Sequence, residues 1–136
     1  MKIPPIKKYC LGDRIHIQAQ QVWIVLVSWT FAARKLKKKT LTYGDLAELM
    51  GYSRRAGITL GRALGIVGTH CKNNNLPTLN SIVVNEVTGK PGDHVVVRKG
   101  YTPEREQAEV IKEAWFLIRV PTTGTFRKVW EEMGDQ

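Results

Sequence analysis

Two cysteines, three histidines and a scatter of carboxylates are the residues of this chain with reactive or metal-binding chemistry. His70 and Cys71 are adjacent, while Cys10, His16 and His94 lie far from them in sequence. Neighbouring residues on a helix point roughly 100° apart, and no CxxC or similar spacing supplies the rest of a metal site. Glu86, Lys90, Asp93 and His94 gather around a turn, but one Glu and one Asp fall short of the clustered carboxylates that hold catalytic Mg²⁺. No glycine-rich phosphate loop follows a strand. No catalytic residue, metal, cofactor or small-molecule substrate is therefore expected. The remaining chemistry is cationic. Lys37, Lys38 and Lys39, then Arg54 and Arg55, then Arg62, Lys90, Arg98 and Lys99 offer the donors that recognise phosphate.

The charge is unevenly spread. The chain carries 21 Lys+Arg against 12 Asp+Glu, a net of +9. Residues 1–103 hold 16 basic and 5 acidic residues, and residues 104–136 hold 5 basic and 7 acidic. The basic field thus belongs to the N-terminal three quarters, and it points to duplex DNA as the partner. A basic amphipathic helix with an exposed apolar face, which would suit a membrane surface, does not stand out. The longest apolar stretch, Val22–Ala33, is too short to cross a bilayer. Two cysteines in no paired pattern suit a reducing compartment, and Met1–Cys10 lacks the apolar run of a secretory signal.

The elements that must position these cations follow from periodicity and punctuation. Pro4-Pro5 make residues 1–15 an irregular arm. A long helix spans about Gln18 to Lys37, with Trp23, Leu26 and Trp29 inside and the lysines at its C-terminal end. Thr42 and Asp45 form a capping box for a second helix, with Tyr43, Leu46, Ala47 and Met50 on one face and Gly51 as a left-handed stop. A basic turn leads to a third helix, about Thr59 to Lys72. Ile58, Leu60, Leu64, Ile66 and Val67 supply its apolar contacts, and Gly61, Gly65 and Gly68 strip one side of bulk. Asn73–Asn75 and Pro77 end it. Leu79–Val87 alternates as a strand, Thr88–Asp93 is a turn, and His94–Arg98 is a second strand. Glu104–Leu117 is a further amphipathic helix presenting Ala108, Val110, Ile111, Trp115 and Phe116. Phe126, Val129 and Trp130 are the anchors available to the tail.

Helix, helix, helix, hairpin is the order of a winged helix, and three motifs in that order resemble a known family. Ile17–Val84 resembles the DNA-binding domain of the alkylguanine-DNA alkyltransferases and of the catalytically inactive alkyltransferase-like proteins. Gln21-Val22-Trp23 is similar to their first-helix signature, Thr42–Ala47 to their next helix, and Arg62-Ala63-Leu64-Gly65 to the Arg-Ala-Val-Gly start of their recognition helix. The resemblance implies a recognition helix in the minor groove, with Arg62 replacing a nucleotide turned out of the stack and Tyr43 crowding the phosphate that rotates. The family's Pro-Cys-His-Arg-Val acceptor segment falls on Leu79-Asn80-Ser81-Ile82-Val83. Asn80 stands at the nucleophile's position and Ser81 at its histidine partner's, so alkyl transfer has no thiolate to use.

The sequence therefore predicts a mainly α fold with a small β-hairpin, an α+β winged helix-turn-helix with an extra C-terminal helix. Its parts are an arm (1–15), the winged-helix domain (16–100) and a C-terminal helix and tail (101–136). The expected function is non-enzymatic duplex DNA binding, reading shape, structure or damage, in the cytoplasm of a bacterial or phage-infected cell and associated with the nucleoid. The expected contact residues are Lys37, Lys38, Lys39, Tyr43, Arg54, Arg55, Thr59, Gly61, Arg62 and Lys90. The alternative is a protein-interaction module, a small regulator or inhibitor of a nucleic-acid enzyme such as a mobile-element or phage counter-defence factor.

Overall fold

The computed structural model describes residues 2–92 and 95–134. One long helix, α1 (Ile15–Leu36), is the spine. Ala19, Val22, Trp23, Leu26, Val27 and Ala33 recur at helical spacing and are buried along it. Trp23 is its hub, meeting the rings of Trp115 at 5.5 Å, His70 at 5.9 Å and Phe126 at 6.2 Å. Lys37 ends α1 in the left-handed region at φ 54°, and the Lys38 N–H donates back to the Ala33 carbonyl. Trp29 is half-buried against the same core.

The strand β1 (Leu41–Thr42) leads directly into α2 (Tyr43–Leu49), and the capping box forms as expected. Thr42 Oγ1 accepts from the Asp45 N–H at 3.1 Å, and Asp45 accepts from the Thr42 N–H at 3.2 Å. Leu46, Ala47 and Met50 are buried, and Gly51 takes φ 93°. The end of α2 is tied to α1 through buried Gln21, which donates to the Met50 carbonyl and accepts from the Tyr52 hydroxyl.

The third helix begins later than its periodicity predicts. Arg54–Leu60 winds as a 3-10 helix, and α3 (Gly61–Asn73) follows it. Ser53 caps the 3-10 segment by accepting from the Arg55 N–H, and Thr59 Oγ1 donates to the Ala56 carbonyl. Ile58 does not join the core; its side chain stands in solvent, while Leu60, Leu64, Ile66 and Val67 are buried. Asn75, at φ 54°, closes α3.

The expected hairpin is corrected. Leu79–Ile82 is a 3-10 turn in which all four residues are buried, so the alternation there does not mark a two-faced strand. Among the described residues of the expected hairpin the strand is β2 (Val83–Val84), and it pairs in parallel with β1, Leu41 with Val83 and Thr42 with Val84. An antiparallel bridge joins Val84 to Pro91. Pro91 has no N–H to extend a ladder. Val95–Arg98 is not a strand, and Asp93 and His94 lie outside the described residues.

The C-terminal segment joins the same core. Thr102 caps α4 (Pro103–Lys112), with Pro103 in the first turn. The helix stops five residues before the expected Leu117. The Trp115 indole N–H donates to the Val110 carbonyl at 2.7 Å, and Arg34 donates to the carbonyls of Ile111 and Glu113 at 2.6 Å each. Free carbonyls at the helix end are thereby satisfied from outside. Val110 and Trp115 are buried, Ala108 and Ile111 half-buried, but Phe116 is exposed. The tail forms α5 (Thr123–Met133), which packs on α1 and α3 through Phe126, Val129 and Trp130. No described helix is long and apolar enough to cross a membrane.

Candidate nucleic-acid interface

An open groove of about 590 Å³ lies where the start of α2, the 3-10 segment, the start of α3 and the turn after β2 converge. Tyr43, Arg54, Arg55 and Gly61 line it, so four of the residues expected from sequence meet at one place. Two glycines allow this convergence. A Cβ at Gly57 would lie 2.7 Å from the Tyr43 carbonyl, and a Cβ at Gly92 would fall on the Tyr43 hydroxyl. The tyrosine ring is thus held between α2 and the Pro91–Gly92 segment.

The turn opposite is organised by Asn85. Its side-chain oxygen accepts from the N–H groups of Val87 at 2.8 Å and Thr88 at 3.2 Å. Its own N–H donates to the Lys90 carbonyl, and Gly89 takes φ 68°. Val87 and Lys90 are consequently presented outward from a hydrogen-bonded turn.

Not every cation is available to a ligand. The Arg54 guanidinium lies over Gly44 and is bonded to Asp45 at 2.8 Å and to Glu48, with Glu86 3.9 Å away. Those bonds hold the Asp45 carboxyl below its usual range and push Arg54 further up. Arg54 therefore clamps α2 to the 3-10 segment. Arg34 is committed to the end of α4, and Arg98 to buried Glu106 through its backbone N–H and its guanidinium at 2.9–3.3 Å. Thr59 spends its hydroxyl on its own turn. Arg55, Arg62, Lys37, Lys38, Lys39 and Lys90 are exposed, and among the described residues their side chains have no hydrogen-bond or ion-pair partner.

The glycines of α3 divide into different roles. Nothing lies within 4 Å of a Cβ at Gly61, which faces open space. At Gly65 the nearest atom is the Met133 methyl at 3.9 Å. At Gly68 a Cβ would come 2.5 Å from Asn80 Cγ, so that glycine serves internal packing.

Comparison with family models, curated proteins and solved structures gave no match. Function therefore rests on the chemistry of the groove and of its surroundings. At Asn80 and Ser81 the structure shows an enclosed position. Both are buried, Asn80 against Gly68 of α3, and among the described residues Asn80 Oδ1, Ser81 Oγ and Thr78 Oγ1 lack hydrogen-bond partners. Cys71 is buried nearby in sequence, and burial pushes its thiol up to about 12. Cys10 is exposed, with its thiol donating to Asp13. Among the described residues no three His, Cys, Asp or Glu side chains assemble into a metal site.

Sequence reasoning missed three contributors: Ile58, Val87 and Asn85. Ile58 fits the apolar pattern of α3, which points to its core, and Val87 ends a Val- and Ile-rich run that reads as a strand. Asn85 carries a readable signal, since an Asn side chain readily accepts from the backbone two residues on and Thr88-Gly89 follow within the same turn.

Proposed function

We propose that this chain is a non-enzymatic DNA-binding protein that docks the start of α3 and the Asn85–Lys90 turn on duplex DNA. The observation that carries the reading is Gly61. It opens α3 with free space before it, Arg62 follows it and Arg55 lines the same groove, and neither guanidinium has a partner among the described residues. A backbone surface without a side chain admits close approach, and flanking cations replace the counterions of phosphates. In this reading the Asn85–Lys90 turn takes the place that a wing would have, and Thr42–Ala47 and Arg62–Gly65 are the segments whose sequence resembles the alkyltransferase-like proteins. Few groups are available to contact base edges, so duplex shape, structure or damage is the preferred signal.

Fluorescence anisotropy with a mixed-sequence duplex tests this reading. Arg55, Arg62 and Lys90 would neutralise three phosphates, giving a salt slope of about −3, and the lysine run would carry it toward about −5. Between about 50 and 200 mM salt the affinity should fall by about 10²–10³. Arg55→Glu with Arg62→Glu should weaken all duplexes alike. Arg54→Ala should act through stability, because that guanidinium is already engaged.

One observation favours a protein partner instead. Phe31 and Phe116 are exposed and stack edge to face at 5.5 Å beside exposed Leu117, far along α1 from its N-terminus. Absence of duplex, single-strand and RNA binding at about 50 mM salt, where phosphate contacts are strong, would transfer the function to that class.

A further inference from the structure

We infer that Ile58 and Val87 act as a pair of apolar wedges that enter a base step of bound duplex, so that the protein selects DNA that bends or unstacks easily. This rests on the DNA-binding reading and names the part of the duplex the groove engages. Ile58 is 89% exposed and Val87 93% exposed, and both line the same groove from opposite elements. Neither belongs to a loose segment. Ile58 rides on a 3-10 helix capped by Ser53 and pinned where Gly57 meets the Tyr43 backbone. The Val87 N–H is bonded to Asn85 Oδ1. Two β-branched side chains are thus held in solvent with few rotamers to lose on binding.

Their neighbours identify the occupant. Arg55 lines the groove with Ile58 and Val87, Arg62 comes four residues after Ile58 and Lys90 three after Val87, and all three side chains are exposed and without partners among the described residues. Among the described residues, Asp45 and Glu48 are bonded to Arg54, and Glu86, which lines the groove, lies 3.9 Å from the same guanidinium. An apolar tip beside free cations fits a ligand with anionic walls and an apolar, stackable floor. That is the minor groove of duplex DNA, where inserted aliphatics unstack a step and bend the helix while cations hold the phosphates. Unstacking is cheapest at TA and CA/TG steps and dearest in A-tracts.

The test uses the full chain and two end-labelled duplexes of equal length, one with a central TA step and one with a central A-tract. Affinity is read by anisotropy and bending by energy transfer between the ends. The wild type should bind the TA duplex about tenfold more tightly and shorten its end-to-end distance. Ile58→Ser with Val87→Ser should bind both duplexes equally, without bending, and should melt like the wild type because both side chains stand in solvent. Ile58→Leu should keep the preference. Equal binding of both duplexes by the wild type, or a serine double variant that still prefers and bends the TA duplex, would overturn the wedge and leave DNA binding standing. A wild type that binds neither duplex would overturn both, and would assign the exposed aliphatics to a protein partner.

Discussion

Gly65 and Gly68 lie three residues apart in α3, and adding one methyl group to each should move stability in opposite directions. Both have negative φ, so alanine is conformationally allowed at either position. Gly65→Ala meets only the Met133 methyl, at 3.9 Å, and should gain about 0.5–1 kcal/mol from helix propensity. Gly68→Ala has the same propensity gain but places its Cβ 2.5 Å from Asn80 Cγ. Asn80 is 3% exposed and packed among buried residues, so its amide cannot swing into solvent. Overpacking of this kind costs about 1–3 kcal/mol, which leaves a net loss of about 1 kcal/mol. The two variants should differ by about 2 kcal/mol. At about 2–4 °C per kcal/mol for a domain near this size, their melting temperatures should be about 4–8 °C apart. Far-UV circular dichroism melts and urea titrations measure this directly. Asn80→Ala introduced into Gly68→Ala should recover stability, since it removes the atoms the methyl group strikes. A Gly68→Ala protein as stable as Gly65→Ala would refute the assignment of Gly68 to the Asn80 contact.

Two further outcomes follow from the buried polar groups. Glu106 is wholly enclosed and takes three side-chain bonds and one backbone bond around Arg98, so Arg98→Met should cost about 3 kcal/mol by stranding the carboxylate. Arg98→Met with Glu106→Gln should recover most of that loss in chemical denaturation. His70 is half-buried between Trp23 and Phe126, and burial holds its pKa below the usual 6.5. The unfolded chain then takes the proton first, so stability is full above about pH 6.5 and declines as pH falls through the lower folded value. Burial and Arg127 lower His16 in the same sense. Urea titrations across that range should show a flatter profile for His70→Phe, and His16→Gln should separate the two contributions; an unaltered slope in His70→Phe would remove the first.

What was legible in the sequence was local. Thr42 and Asp45 three residues apart, Gly51 after Met50, and Asn75 before Pro77 each act on their own backbone, and each does so in the structure. The burial of Trp23, Leu26, Phe126 and Val129 followed from spacing and bulk. What was not legible depended on partners distant in sequence. Cations that are alike in sequence have different fates, since Arg34 finds carbonyls at 111 and 113, Arg54 finds Asp45 and Glu48, and Arg98 finds Glu106. Ile58 has the right period for a core position but falls on a 3-10 segment, where that period no longer applies. The strand expected over Leu79–Val87 is rich in Val and Ile, but burial on every side selects a turn for its first half.

The central claim is that the open start of α3 lies against duplex DNA, and Gly61→Leu tests it most directly. Nothing lies within 4 Å of the added Cβ, so the fold should be retained, and the melting temperature verifies this for the same sample. Anisotropy at about 50 mM salt, where phosphate contacts are strongest, should show wild-type binding and no measurable binding by the variant. A Gly61→Leu protein that melts normally and binds duplex as tightly as the wild type would contradict the claim and place the binding face elsewhere on the molecule.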